Sequence, residues 1–318
     1  MEETSQHPGL ARIVGDGRTA DALDVLADEL IGSDLTTVLL EVARRRAARL
    51  TPADVVRQYR RDRFVAPAAV DPLTLARLEL AALETVADEF EPVVLSPVAP
   101  FGTHSVLGGV HQNNVVTTLR LTEVAADPTN SLALEAAVRR RRLLDNDPRS
   151  AAAVGLAAVQ RITRAQRFDG PRSFAHFSLL GLTIAGRDVG SRRFETEALT
   201  AQLRALAHVA LNAMGSADES RIEIRLSDFD GRFSGVVEEV SSAVAGPQVD
   251  CESASDRTAG RGYYPNVCFK LSIDTGSETI EVADGGAVDW TQSLLQDRKE
   301  RLTIAGLSLD RLALLATD

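Results

Sequence analysis

The sequence predicts an α/β protein in two parts: a small helical domain over residues 1–70 and a larger domain of mixed strands and helices over residues 71–318. Three observations predict it. The first seventy residues place apolar side chains at helical spacing behind Thr, Ser and Asp caps. From Pro72 the pattern changes, and short apolar or alternating runs stand between amphipathic helices. The last third sets strands between glycine-containing turns and closes on Ile304-Ala-Gly-Leu-Ser-Leu-Asp-Arg-Leu.

Composition agrees with an ordered fold. Of 318 residues, 44% are hydrophobic, enough for a sizeable core, and 25% are charged, too balanced for a disordered chain. No apolar run is long enough to span a bilayer, and Met1-Glu-Glu-Thr-Ser-Gln-His lacks the basic start and apolar stretch of a signal peptide. Two cysteines, Cys251 and Cys268, make neither a disulfide framework nor a zinc site. A cytoplasmic protein without membrane contact is the expectation. The net charge of −10, from 35 basic and 45 acidic residues, makes the chain a poor general RNA binder, since such a protein must neutralise phosphates. The run Arg139-Arg-Arg-Arg142 reads as a solvated or ion-paired helix face.

In chain order, Asp16–Leu26 and Ser33–Ala43 read as helices, and Thr51-Pro-Ala-Asp opens a third with proline at its first position. Phe64–Pro72, with two prolines, reads as a connection. Leu75, Leu78, Ala82, Val86 and Phe90 form one face of a long helix, followed by the apolar strand Pro92-Val-Val-Leu-Ser-Pro97. Residues 115–124 alternate, Asp127-Pro-Thr-Asn makes a turn, and Leu132–Arg140 is helical. A strand from Val159, a tight turn at Phe168-Asp-Gly-Pro and a strand over Ser173–Gly186 read as a hairpin. Thr196–Met214 and Gly231–Val244 read as helices around a strand at Arg221–Leu226. Further strands follow Tyr264 and precede Gly285.

Three pieces of the last third carry a resemblance. These are Gly260-Arg-Gly-Tyr-Tyr-Pro-Asn-Val-Cys-Phe-Lys-Leu271, then Glu281-Val-Ala-Asp-Gly-Gly-Ala-Val-Asp-Trp290, then the closing Ile304–Leu312. In order and spacing they resemble the histidyl-tRNA synthetase branch of class II aminoacyl-tRNA synthetases, which writes R-G-L-D-Y-Y, G-G-R-Y-D and G-x-x-x-[DE]-R-L. The helix–strand–proline at 73–97 is similar to class II motif 1, and the hairpin to motif 2. The resemblance covers about three quarters of the chain. It implies an antiparallel sheet flanked by helices, with residues 71–318 as the catalytic-core domain. It also implies a homodimer through the motif 1 helix and strand.

The resemblance assigns roles residue by residue. Arg164 would meet the α-phosphate of ATP and Arg311 the γ-phosphate, with Gln166 in place of the motif 2 acid. Glu281 stands where the class holds Mg²⁺. Gly306 would admit the nucleotide, and Gly285 and Gly286 the aminoacyl group. Tyr263, Tyr264 and Asp289 remain as substrate contacts. Other letters are gone. After Leu132-Ala-Leu134, Glu135, Ala136 and Ala137 replace Arg, Pro and Glu. Leu179 and Thr183 replace Gln and Glu of the second hairpin strand. Ala259 holds the register of a catalytic arginine, which Arg257 or Arg261 replaces only if the loop is rebuilt. Ala287 and Val288 replace Arg and Tyr. Histidine is therefore not the expected substrate, and the pocket between Tyr263, Leu179 and Val288 should be apolar.

His104, His111 and His176 lack ligand or triad spacing and read as structural; Cys268 reads as core; Asn113-Asn114 falls where it could line a cleft. The chain stops after the last motif, so an anticodon-binding domain is not expected, and with the acidic charge tRNA charging is not either. Arg164, Glu281 and Arg311 favour ATP- and Mg²⁺-dependent activation of a small carboxylic or amino acid for a non-tRNA acceptor. The substitutions at Ala259, Ala287 and Thr183 favour a non-catalytic paralogue, like the regulatory subunit of ATP phosphoribosyltransferase. In that case the N-terminal helices could meet a protein partner.

Overall fold

The computed structural model describes residues 18–166, 174–215 and 220–316. The chain forms two compact units, one of residues up to Asp62 with Thr117–Thr122, the other of Arg63–Val116 and Glu123–Asp318.

In the first unit, helix α1 (Arg18–Asp24) runs into a π-helical turn at Val25–Glu29, then α2 (Gly32–Ala47) and α3 (Pro52–Tyr59) follow. The expected start of α3 is a full capping box: Thr51 Oγ1 accepts from Asp54 N, and Asp54 accepts from Thr51 N. The π-turn, α2 and α3 bury none of their side chains, and Ile31, Val42 and Val55 stand exposed.

The second unit opens with α4 (Pro72–Val86), capped by Asp71. Strands β1 (Glu91–Pro92) and β2 (Val98–Pro100), helix α5 (Thr103–Gly108) and strand β3 (Thr122–Val124) lead to α6 (Pro128–Asn146). The expected hairpin is β4 (Val154–Thr163) and β5 (His176–Arg187), antiparallel from Val154↔Ala185 to Thr163↔His176. Its turn at Phe168-Asp-Gly-Pro lies outside the described residues. Then come α7 (Arg193–Met214), β6 (Arg221–Asp228), α8 (Ser234–Val244), β7 (Val249–Ser253), β8 (Val267–Asp274) and β9 (Thr279–Val288). Helix α9 (Trp290–Leu295), β10 (Glu300–Ser308) and α10 (Leu309–Leu315) complete the described chain.

Eight strands form one sheet in the order β1-β4-β5-β10-β9-β8-β6-β7, antiparallel except for the two edge pairs. The expected α/β architecture, an antiparallel sheet flanked by helices, is what the structure shows. One face packs on α4, α7, α8 and α10 through residues such as Phe90, Leu203, Val240 and Leu312. The other packs on α6, whose Leu132, Ala133 and Ala136 meet Leu156, Ala158 and Ile304.

Three expectations change. The apolar stripe named for α4 packs inside the molecule, where Ala82, Val86 and Phe90 join the core and Leu75 and Leu78 pack on it, while Leu73 and Leu80 of the same helix stand exposed. The apolar run at 92–97 is extended chain beside β4 rather than a strand of that length, because only Glu91–Pro92 enters the ladder. The Arg139–Arg142 run is not uniformly solvated. Arg139 pairs with Glu91 and Glu135 at the surface, but Arg140 is fully buried on Glu300.

Candidate functional site

Above β5, β10 and β9 a cleft of about 630 Å³ opens between the start of α6, the loop 257–264 and the end of the hairpin where β4 stops and β5 begins. Its floor follows from the register. Gly181 of β5, Gly306 of β10 and Asp284 of β9 are direct cross-strand partners and share a face. A Cβ at Gly181 would strike Pro128 and Leu132 of α6, whereas a Cβ at Gly306 would meet nothing within 4 Å. The floor is thus covered by a helix on one side and open at Gly306.

Among the described residues, four cations line the cleft: Arg164, Arg257, Lys270 and Arg311. Three of them are matched. Arg164 donates through Nε to Ala126 O at 3.0 Å and approaches Asp127 at 3.3 Å. Arg257 bonds Asp284 Oδ2 at 2.7 Å, Phe269 O at 2.9 Å and, through Nε, Ala259 O at 2.9 Å. Lys270 Nζ holds Glu281 Oε2 at 2.5 Å. Arg311 donates only to a carbonyl, Glu281 O, and among the described residues it has no carboxylate partner. An acidic chain thus carries a cleft lining of four cations and three carboxylates.

Of the predicted site residues, Arg164, Gln166, Tyr263, Tyr264, Glu281, Gly306 and Arg311 come together here. Gly285, Gly286 and Asp289 do not line the cleft. The two glycines lie inside β9, where a Cβ at Gly285 would meet the Phe269 ring and Ile304 O and one at Gly286 would meet Val267 O, all within 2.6 Å. Asp289 follows β9 and lines a separate depression with Arg192 and Arg232.

The losses are also relocated. Leu179 lines the cleft, but Ala137 packs with Leu144 and Leu295, and Thr183 is fully buried in β5. The register anchored on Leu132-Ala-Leu134 is the reason, since those residues lie within α6, beyond its first turn. The part of that helix reaching the cleft is its start, Asp127, Thr129 and Asn130. Val288 packs with Trp290 and Leu302, so the apolar wall is made instead by Phe174, Phe177, Leu179 and Ile304. Asn114 lines the cleft, and Cys268 is buried in the core as expected.

Residues that sequence reasoning did not single out include Asp127, Asn130, Lys270 and Asp284. The first had a signal: Asp followed by Pro is a helix-start pair, and Asp127 caps α6 by accepting from Thr129 N at 2.9 Å. Arg257 had been set aside for want of a rebuilt loop, yet it reaches the floor. Gly260, at φ +88°, turns the backbone so that its carbonyl accepts from both Tyr263 N and Tyr264 N. The two tyrosine rings then stack edge to face at 4.8 Å, and burial pushes both hydroxyls to higher pKa.

Burial also pushes the Asp284 carboxyl up, against the pull of Arg257. A carboxyl raised in the fold adds stability that is complete below the ordinary carboxylate range and is lost as pH rises through the raised value. Asp284→Asn does not titrate, so its stability relative to the parent should increase from acid to neutral pH in urea melts. A pH-independent difference would show that Asp284 ionises as freely folded as unfolded.

Glu281, where the resemblance puts Mg²⁺, is held by the Lys270 ammonium, and among the described residues no group of three or more His, Cys, Asp or Glu side chains could hold a metal ion by itself. Mg²⁺ held by one or two carboxylates and substrate phosphates would need Lys270 to release Glu281.

No family model and no curated protein matches the sequence. Solved structures do match the fold. Apo histidyl-tRNA synthetase of S. aureus aligns over 79% of this chain and 68% of its own, at 13% identity and a TM-score of 0.57. A Bacillus halodurans protein described as an ATP phosphoribosyltransferase regulatory subunit/histidyl-tRNA synthetase aligns over 80% and 83%, at 14% identity and 0.54. A histidine–tRNA ligase subunit of Alicyclobacillus acidocaldarius aligns over 80% and 97%, at 12% identity and 0.53. The fold is therefore that of histidyl-tRNA synthetase-like class II proteins, and at these identities the likeness concerns the fold alone. No helix of the described residues is long and apolar enough to cross a membrane.

Proposed function

We propose that this chain binds a small carboxylic or amino acid in the cleft without adenylating it, and that a protein partner responds to the occupied state. The observation that carries this is the pairing of the cleft cations. Three are neutralised by Asp127, Asp284 and Glu281, leaving the Arg311 guanidinium with only a carbonyl. One unmatched cation among the described residues suits one carboxylate, whereas a triphosphate brings several charges and a Mg²⁺ for which Glu281 would first have to leave Lys270. A regulatory role like that named for the Bacillus halodurans neighbour is consistent with it. So are the exposed apolar side chains of α2 and α3, which suit a protein partner.

A second reading, ATP-dependent activation of the same acid, is favoured by Arg164 and Arg311 sharing the cleft with the open floor at Gly306. It requires Lys270 to release Glu281. The two readings part in a thermal-shift assay, because a ligand that binds only the folded state raises its melting temperature. A panel of small amino and carboxylic acids should contain at least one that raises it without nucleotide. Arg311→Ala should weaken that acid by one charge-assisted bond, about 1.5–3 kcal/mol. No shift with any acid would sink the proposal. A shift with Mg·ATP that Arg311→Ala abolishes, together with acid-dependent pyrophosphate exchange, would establish the activating enzyme.

A further inference from the structure

One part of the cleft lining, apart from Arg311, has two buried hydrogen-bonding atoms without partners among the described residues. Asn130 is 1% exposed, lines the cleft, and its Nδ2 has no hydrogen-bond partner among the described residues. Its orientation is fixed from behind. Ala126 N donates to His104 Nε2 at 3.0 Å, so the proton of that buried ring sits on Nδ1 and is given to Asn130 Oδ1 at 2.7 Å. The amide must therefore present Nδ2, a donor. Beside Gly306 on the neighbouring strand stands Asp284: Arg257 holds its Oδ2, the Tyr264 hydroxyl lies near the carboxyl, and Oδ1, an acceptor, has no hydrogen-bond partner among the described residues. The row Gly181–Gly306–Asp284 spans two strand spacings, about 10 Å, with the first strand roofed by Pro128 and the second open. Buried polar atoms left without partners are costly, so such a pair in a cleft marks where a ligand completes the bonding.

We propose that this part of the cleft recognises a neutral carboxamide on the bound acid, its C=O accepting from Asn130 Nδ2 and its NH₂ donating to Asp284 Oδ1. An ammonium is disfavoured because Arg257 already balances Asp284, and a second carboxylate because it would face Asp284 Oδ1. The upward push of burial on the Asp284 carboxyl agrees with a site that prefers neutral groups. The inference rests on the small-acid reading and assigns Arg311 the ligand's carboxylate.

The test is isothermal titration of the full chain with L-glutamine, L-asparagine, L-glutamate, L-aspartate and glycine. At least one amide should bind about tenfold or more tighter than both its own acid and glycine, since a site built for a hydrogen bond rejects a ligand that fails it. Asn130→Asp keeps the His104 bond but turns the donor into an acceptor. Asp284→Asn gives its oxygen to Arg257 and turns NH₂ towards the ligand's NH₂. Either variant should erase the amide preference while glycine still binds. Glycine binding with no gain for either amide, or a preference that survives both variants, overturns this inference and leaves the small-acid reading standing. Binding by none of the five overturns this inference, and the wider panel of acids then decides the small-acid reading.

Discussion

Arg140→Ala should remove about 3–5 kcal/mol of stability, a large fraction of what holds an ordinary domain together. Arg140 and Glu300 are each fully buried, and the guanidinium bonds both carboxylate oxygens, Nε–Oε2 at 2.8 Å and Nη2–Oε1 at 2.7 Å. It also satisfies Ala152 O and Ser150 O, at 2.6 and 3.1 Å. Alanine would leave a buried carboxylate with only Arg187, whose Nη1 is 3.6 Å from Glu300 Oε1, and two carbonyls without donors. The cost comes mainly from that uncompensated charge. The double replacement Arg140→Met, Glu300→Leu should therefore recover most of the loss, because buried ion pairs exchanged for packed apolar residues are often neutral. Urea midpoints of the three proteins decide it. A single variant within about 1 kcal/mol of the parent would mean that water reaches the pair.

Arg140 also shows where the sequence stops being legible. Local periodicity located the long helices and the β4–β5 hairpin, because those patterns are properties of short windows. Nothing local distinguishes Arg140 from Arg139, and what buries it is Glu300, 160 positions away. The site divides in the same way. Arg164, Glu281 and Arg311 were legible from motif spacing and do converge. Arg257–Asp284 and Lys270–Glu281 were not, because each pair forms only once the loop and the β8–β9 register are in place. A recurring Leu-Ala-Leu beyond the first turn of α6 drew the alignment away from the helix start that faces the cleft.

The glycines of β9 and β10 should separate fold from site. Gly286→Ala is expected to cost about 3 kcal/mol, the upper part of the range for overpacking. Its Cβ would lie 2.5 Å from Val267 O and 2.8 Å from Cys268 Cα and Cβ. None of these is the tip of a flexible chain, so relief requires β8 to move off β9 in the middle of the sheet. At Gly285 part of the obstruction is the Phe269 ring, so Phe269→Leu should relieve Gly285→Ala partly and Gly286→Ala not at all. Gly306→Ala, on the next strand and with nothing within 4 Å, should stay within about 1 kcal/mol of the parent. Its methyl would instead stand in the cleft floor beside Asp284 and weaken the bound acid. Urea midpoints and ligand titrations on these variants give a crossed result, with stability lost at Gly286 and affinity lost at Gly306. If Gly286→Ala melts with the parent, the β8–β9 contact is looser than the structure shows. If Gly306→Ala leaves every acid's affinity unchanged, the ligand does not lie over β10.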